Sequence, residues 1–403
     1  MIKKPAGSST NARPTPTRVV GFEDGFSPIN KVLREWFYEP DLQATRVLLG
    51  CAKAHYLSVG DPAWLFAIAP PGSGKTTMAI MGAAGLPETQ MLSSFTSATL
   101  LSGFYGKREP GLLEKLGPTT ADGKGTQTTE GNAIFLVKDF TTLLSMRREG
   151  RGEILAQLRE IHDGEFSKTF GTGEKKVWRG RITILAALTP VIDRYYSVFS
   201  VLGERFLQLR WHRPASVEAG QRAIEQQGYE AKIRERLRVP IAKLFAESAT
   251  TPPSISSKST LRLANLAELV ALARTHVFRS SYGNREIEYV PEPEANTRIS
   301  KELGAIAKGI AALNRHTEVT EQDLQDVFRV GFDCIPDNRR KALLAVAKNE
   351  SLNNLSIPRT LRDREVQELE ALGLITSEKT LTDKASTLLQ VADIVADGVK
   401  LTA

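Results

Sequence analysis

Four short apolar runs punctuate the first half of the chain, at 64–69, 133–137, 182–188 and 206–211, and 90–95 is a further possible strand. The runs Ala133-Ile134-Phe135-Leu136-Val137 and Ile182-Thr183-Ile184-Leu185-Ala186-Ala187-Leu188 are continuous rather than alternating, the pattern of strands buried on both faces. Between them Ile154, Leu155, Leu158 and Ile161 recur at helical spacing and predict a helix over 153–160. An earlier helix is expected over 41–57, with Leu42, Val47, Leu48 and Cys51 on its apolar side. Strands that alternate with helices predict an α/β fold with a parallel sheet covered on both faces.

After Pro214 the periodicity turns helical. A long charged helical region spans 218–247, and a Ser/Thr/Pro-rich break follows at 248–258. Helices are expected again at 261–277, 297–314 and 321–328, the last opened by the capping box Thr320-x-x-Asp323. From 337 on the pattern is helix (339–348), turn, helix, turn. Residues 1–18 are rich in Ser, Thr, Pro and Ala, carry Lys3, Lys4, Arg13 and Arg18 and have no acid, which predicts a flexible basic tail. The organisation expected is a tail over 1–20, an α/β core over 21–214, a helical region over 215–336 and a small unit over 337–403.

Composition narrows the class. A chain of 403 residues suits two or three domains, and a net charge of +7 permits a polyanionic partner. No apolar run approaches the ~18–20 residues of a membrane span, and Met1-Ile2-Lys3-Lys4-Pro5 has no secretory apolar stretch. Cys51 and Cys334 stand far apart among apolar neighbours, as buried reduced thiols do, so a cytoplasmic protein with no membrane partner is expected. Five scattered histidines and two cysteines argue against a zinc site.

The chemistry begins at Ala69-Pro70-Pro71-Gly72-Ser73-Gly74-Lys75-Thr76-Thr77, between an apolar strand and a helical run. That context marks a phosphate-binding loop. Gly72 and Gly74 let successive backbone N–H groups turn inward, and the following helix adds its positive end. Lys75 supplies a point charge for β/γ-phosphates and the Thr76 hydroxyl a Mg²⁺ ligand, so ATP with Mg²⁺ is the expected cofactor pair. Such sites also need an acid on a neighbouring strand. Asp139, after the run at 133–137, is the candidate metal acid. The usual pair is Asp-Glu, whereas Lys138-Asp139 offers one carboxylate, in either of two registers: Asp139 holds the metal, or Asp139 takes the glutamate's place with Lys138 where the metal acid would be.

The order of these signals resembles an AAA+ ATPase. The proline-containing loop is typical of that family, as are a polar residue closing the fourth strand (Thr189, before Pro190) and an arginine just before the fifth (Arg205, in Gly203-Glu204-Arg205-Phe206). The resemblance implies that Thr189 senses the γ-phosphate, that Arg205 reaches the nucleotide of a neighbouring subunit, and that the helical region is a lid whose Arg298 meets the phosphates. The segment from Leu155 to Gly180 is similar to the helix and hairpin before the sensor strand of minichromosome-maintenance-type helicases. By that likeness Lys168, Lys175 and Lys176 would track a DNA backbone, with Trp178 available for stacking. The C-terminal unit resembles a winged helix, with a second helix at 351–356 and a third opened by Ile357-Pro358-Arg359-Thr360. Its Arg359, Arg362 and Arg364 would meet phosphates, against the opposing charge of Glu365, Glu368 and Glu370.

A further similarity is to small self-loading helicases of bacterial mobile elements and phages, although no large N-terminal domain precedes the loop. The function implied is a ring-forming, hexameric, ATP-dependent DNA motor of the replicative helicase kind. The alternative is an AAA+ initiator or helicase-loader switch that binds DNA without unwinding it.

Overall fold

The structure is a computed structural model and describes residues 25–70, 85–93, 96–101, 110–123, 125–171, 173–195, 205–212, 216–280 and 285–392. Helices α1 (Ser27–Trp36) and α2 (Leu42–Leu57) precede strands β1 (Trp64–Ile68) and β2 (Thr89–Leu92). After the short α3 (Ser97–Leu100) come the hairpin β3 (Thr119–Ala121) and β4 (Thr126–Glu130), then β5 (Ala133–Val137). Next are α4 (Thr141–Leu144) and α5 (Arg148–His162), a second hairpin of β6 (Glu165–Thr169) and β7 (Lys175–Arg179), and the strands β8 (Ile182–Leu188) and β9 (Phe206–Arg210). The remainder is mainly helical: α6 (Val217–Glu225), α7 (Glu230–Glu247), α8 (Ser257–Ala273), a small hairpin of β10 (Phe278–Arg279) and β11 (Ile287–Tyr289), α9 (Thr297–Leu313), α10 (Glu321–Asp333), α11 (Asp337–Ala347), α12 (Arg359–Ala371) and α13 (Asp383–Val391).

The four apolar runs and the segment at β2 form one parallel sheet in the order β2-β5-β8-β1-β9. Its first strand therefore lies between its last two. Alternation assigns the two faces. Trp64, Phe66, Phe135, Ile184 and Phe206 pack with Ile154, Leu158 and Ile161 of α5. Leu65, Leu136, Leu185 and Leu207 point the other way, into a cluster with α2, α9 and α10. Strands β1 and β5 are apolar at every position and β8 at all but Thr183, because both their faces are covered, whereas β2, at the edge of the sheet, is only partly buried.

Helix α2 is buried almost throughout, since α9 closes on its far side. The crossing is tight. A Cβ on Gly309 would stand 2.0 Å from the Gly50 carbonyl oxygen, and one on Gly50 would stand 2.4 Å from Ile310 Cγ1. Glycine is needed at both positions for the close approach.

Several elements differ from the sequence expectation. The region 218–247 is two helices, α6 and α7, parted at a turn where Gly228 takes φ +87°. The helix expected at 351–356 is a single 3₁₀ turn, Leu352–Asn354. Helix α1 and the four-stranded antiparallel and parallel sheet β3-β4-β7-β6 have no counterpart in the apolar pattern. The capping box at α10 is formed as expected: Thr320 Oγ1 accepts from Asp323 N–H and Asp323 Oδ2 accepts from Thr320 N–H. Both cysteines are free and buried. The expected basic tail lies outside the described residues, and among those described no helix is long and apolar enough to cross a membrane.

Candidate functional site

Because β8 pairs in parallel with both β1 and β5, the residues that leave those three strands arrive at one edge of the sheet. After β1 come Ala69, whose N–H donates to the Leu188 carbonyl at 2.9 Å, and Pro70. Pro71, Gly72, Ser73, Gly74, Lys75, Thr76 and Thr77 lie outside the described residues. After β5 come Lys138 and Asp139, both exposed. Phe140 places them: its ring is buried 5.0 Å from Phe66 and 5.4 Å from Phe206, and its N–H donates to the Ala187 carbonyl. Asp139 Oδ1 accepts from Thr141 N–H at 2.9 Å. The Thr141 hydroxyl is 3.5 Å from the Thr189 hydroxyl and accepts from Thr189 N–H at 3.4 Å. Asp139 and Thr189, distant in sequence, are thus joined through one threonine beside the lead-in to the loop.

A cavity of about 230 Å³ opens at the same edge, lined among others by Pro70, Asp193, Arg210, Arg329, Arg340 and Lys341. Its charges are paired. Arg210 makes a two-point bond to Asp193 at 2.7 and 2.9 Å. Arg340 reaches Asp333 at 2.5 Å and Asp337 at 2.7 Å, and Lys341 reaches Asp337 at 2.8 Å. Burial pushes the Asp333 carboxyl up despite the arginines around it. Burial also acts on Asp337, but the Lys341 hydrogen bond and the charges of Arg210 and Arg340 outweigh it and hold its carboxyl below the usual range. Arg340 and Lys341 were not among the residues expected here. A signal for them exists in the sequence: Arg339, Arg340 and Lys341 fall at the start of α11, where the helix dipole disfavours cations, so each needs an anion.

Arg298 is corrected. It lies at the opposite edge of the sheet, bonded to Glu294 at 2.5 Å and Glu302 at 3.3 Å. Glu302 is 3.4 Å from His162 Nε2, and the His162 ring packs edge-on against Trp64, the first residue of β1, at 5.0 Å. Lys301, on the same turn of α9, pairs with Asp61 just before β1. A strand advances about 3.3 Å per residue, so the whole length of β1 separates Arg298 from Pro70, the last described residue before the loop.

Arg205 belongs to that same edge, because Phe206 is in register with Trp64. Its guanidinium is 26 % exposed and 3.6 Å from Asp163, and it stands at the far end of the strands from its own chain's loop.

The hairpins β3–β4 and β6–β7 lie side by side through the parallel pair β4–β7, and Lys175 N–H donates to the Gly125 carbonyl where their tips meet. Lys175 is exposed and Lys168 half-buried, its ammonium 5.9 Å from the Phe170 ring. Lys176 is corrected as a strand-tracking residue: it is only 6 % exposed, and its ammonium is bonded to Glu114 at 2.6 Å. Trp178 is corrected too. It is fully buried, with its indole N–H donating to the Gly131 carbonyl, so its ring is closed to a base. The first hairpin escaped the apolar pattern, but Thr119-Thr120-Ala121 and Thr126-Gln127-Thr128-Thr129 around Asp122-Gly123 are β-branched strands flanking a turn.

In the C-terminal unit, α11, the 3₁₀ turn, α12 and α13 are accompanied by one antiparallel bridge, Ile375 to Leu381. Of its three expected phosphate contacts, Arg359 is 85 % exposed beside Asp363. Arg362 is mostly buried against the Leu352 carbonyl and Asp363. Arg364 is bonded to Glu368 at 2.9 Å. Glu368 is itself buried and also accepts from Arg339 and Arg279, which ties the partly exposed Arg364 to a buried ion-pair cluster.

No protein-family model matches this chain, and no curated protein matches its sequence.

Proposed function

We propose that this chain is an AAA+-type P-loop ATPase that assembles as a ring, hexameric by analogy, and moves on DNA as a replicative-type helicase. In this reading 215–336 is the lid and 337–403 a winged helix. The observation that carries it is the sheet. Its order and parallel sense bring the lead-in to the glycine-rich loop, Asp139 and Thr189 to one edge, and leave Arg205 at the other.

The residues fit Mg-ATP. Asp139 is an exposed carboxylate, a hard oxygen donor of the kind Mg²⁺ takes. Arg340 and Lys341, at the loop edge, are cations that an incoming phosphate can draw from Asp333 and Asp337. When bound, the nucleotide supplies the phosphoryl group and Mg²⁺ the charge that neutralises it. Lys75 and the loop amides cradle the phosphates, Thr76 and Asp139 hold the metal, and Thr189 hydrogen-bonds the terminal phosphate or the water. Arg205 stands at the wrong edge for its own loop, which suits action on a neighbour's. Lys168 and Lys175, beside Phe170, offer the hairpin's charge to a DNA backbone.

The test is ATP turnover with and without single-stranded DNA in wild type, Lys75→Ala and Arg205→Ala. Each variant alone is expected to lose turnover by about 10²-fold or more, and mixing the two should restore part of it, because one intact composite site forms at some interfaces. Full turnover by Arg205→Ala alone would sink the shared site. The second reading, a switch that loads or initiates without unwinding, is favoured by the lone carboxylate at Asp139 and the loss of Lys176 to internal pairing. Slow turnover that DNA does not stimulate, with ATP-dependent oligomerisation, would select it.

A further inference from the structure

The edge that carries Arg205 also carries the base of the second hairpin, and one carboxylate touches both. Asp163 closes α5 and leads directly into β6. Its Oδ1 is 3.6 Å from Arg205 Nη2 and 3.4 Å from His162 Nδ1. His162 is buried under Trp64, and its other nitrogen lies 3.4 Å from Glu302 Oε1. Glu302 is fully buried on α9 and is bonded to Arg298. The result is a line of side chains from α9 through His162 and Asp163 to Arg205.

The line is loosely satisfied. Arg205 Nε, His162 Nε2 and Glu302 Oε2 are buried without a hydrogen-bond partner. Buried polar groups are normally paired, and leaving them so is costly. The cluster is therefore held by weak contacts that small displacements can strengthen or break. Arg205 has Asp163 as its ion-pair partner, so where the guanidinium points depends on where the α5–β6 turn sits. That turn is bonded to the base of the hairpin, since Gly180 N–H, just after β7, donates to the carbonyl of Gly164, the residue after Asp163.

We infer that Asp163 is a positioning residue that links nucleic-acid contact at the hairpin β6–β7 to the aim of Arg205. It rests on the proposed role of Arg205 at a neighbour's nucleotide. A backbone pulling on Lys168 and Lys175 shifts the hairpin base, Asp163 carries the shift, and Arg205 is turned toward or away from the adjoining subunit. His162 and Glu302 link Asp163 on its other side to α9, so the shift is made relative to the helical region. No covalent step is involved.

The experiment uses the full chain with a poly-dT oligonucleotide and compares wild type, Arg205→Ala, Asp163→Asn and Asp163→Glu. Asp163 is 63 % exposed, so its replacement is compatible with folding, and melting temperature checks this. Asp163→Asn is expected to lower the oligonucleotide-stimulated kcat about tenfold, with KM for ATP and Kd for poly-dT held within about twofold. Asp163→Glu should recover part of the stimulation, which a purely structural role would not predict. Wild-type stimulation in Asp163→Asn, alongside an inactive Arg205→Ala, would overturn the coupling and leave the shared site standing. Full turnover by Arg205→Ala would overturn both.

Discussion

Asp41 serves three elements with one carboxylate. It caps α2 by accepting from Ala44 N–H, accepts from His212 N–H after β9, and takes a two-point bond from Arg329 of α10 at 2.6 and 2.7 Å. Burial pushes its carboxyl up, but the Arg329 hydrogen bond and charge outweigh this and hold it below the usual range. A carboxyl with a lowered folded pKa contributes stability above its unfolded value near 3.9 and loses it as pH falls further. Asp41→Asn should therefore cost about 3 kcal/mol at pH 7, by taking the two-point carboxylate partner from buried Arg329 and leaving it Asp333 at 3.6 Å. In urea melts the gap from wild type should narrow below about pH 4; a gap that stays constant with pH would refute the ionic account. Cys51 gives a second test at this scale. Burial pushes its thiol up to about 12, and its Sγ points to the Ala63 carbonyl. A thiol reagent at pH 8 should leave Cys51 unmodified until the protein unfolds, as peptide mapping would show.

At this scale the ends of apolar runs mark strand ends, which is why Asp139 and Thr189 could be placed at one end of the sheet from sequence. The place of Arg298 was not legible, because a helix register says nothing about which edge of the sheet the helix meets; its two carboxylate partners were, since Glu294, just before α9, and Glu302, within it, stand four residues either side.

Among elements, the α2–α9 crossing is the least tolerant of change. Gly309→Ala would drive a methyl into the Gly50 carbonyl and should destabilise by about 1–3 kcal/mol. Gly220→Ala, in α6 where nothing lies near the new methyl, should instead stabilise by about 0.5–1 kcal/mol. Opposite shifts in thermal midpoint for these two glycines would confirm the contrast. The central strands were legible because burial on both faces leaves no polar positions to blur them. Strands β3 and β4 were not, because they lie in an exposed sheet and carry threonine and glutamine where core strands carry isoleucine and leucine. Helix α1 was missed although Ile29, Val32, Leu33 and Trp36 make one apolar face, at three- and four-residue steps.

For the whole molecule, the boundary expected at 214 is not a boundary of the core. The helical region covers α2 with α9, and β9 with α10. A fragment ending at 214 would expose the apolar side of α2 and should express as an aggregating, non-cooperative species, whereas the full chain should melt in one main transition. A soluble fragment with a sharp melt would show instead that the two regions are energetically separate.

The position of β1 between β8 and β9 has a consequence for how the protein is made. On the ribosome, β1 and the glycine-rich loop emerge early, but the strands that flank β1 emerge much later. At about 5–20 residues per second the wait is on the order of ten seconds. For that interval an apolar strand has no neighbour, and Asp139 and Thr189 have not been synthesised. The nascent chain thus lacks part of the proposed nucleotide site and is exposed to aggregation, so chaperone capacity during translation, rather than the stability of the finished fold, should set its yield in a cell.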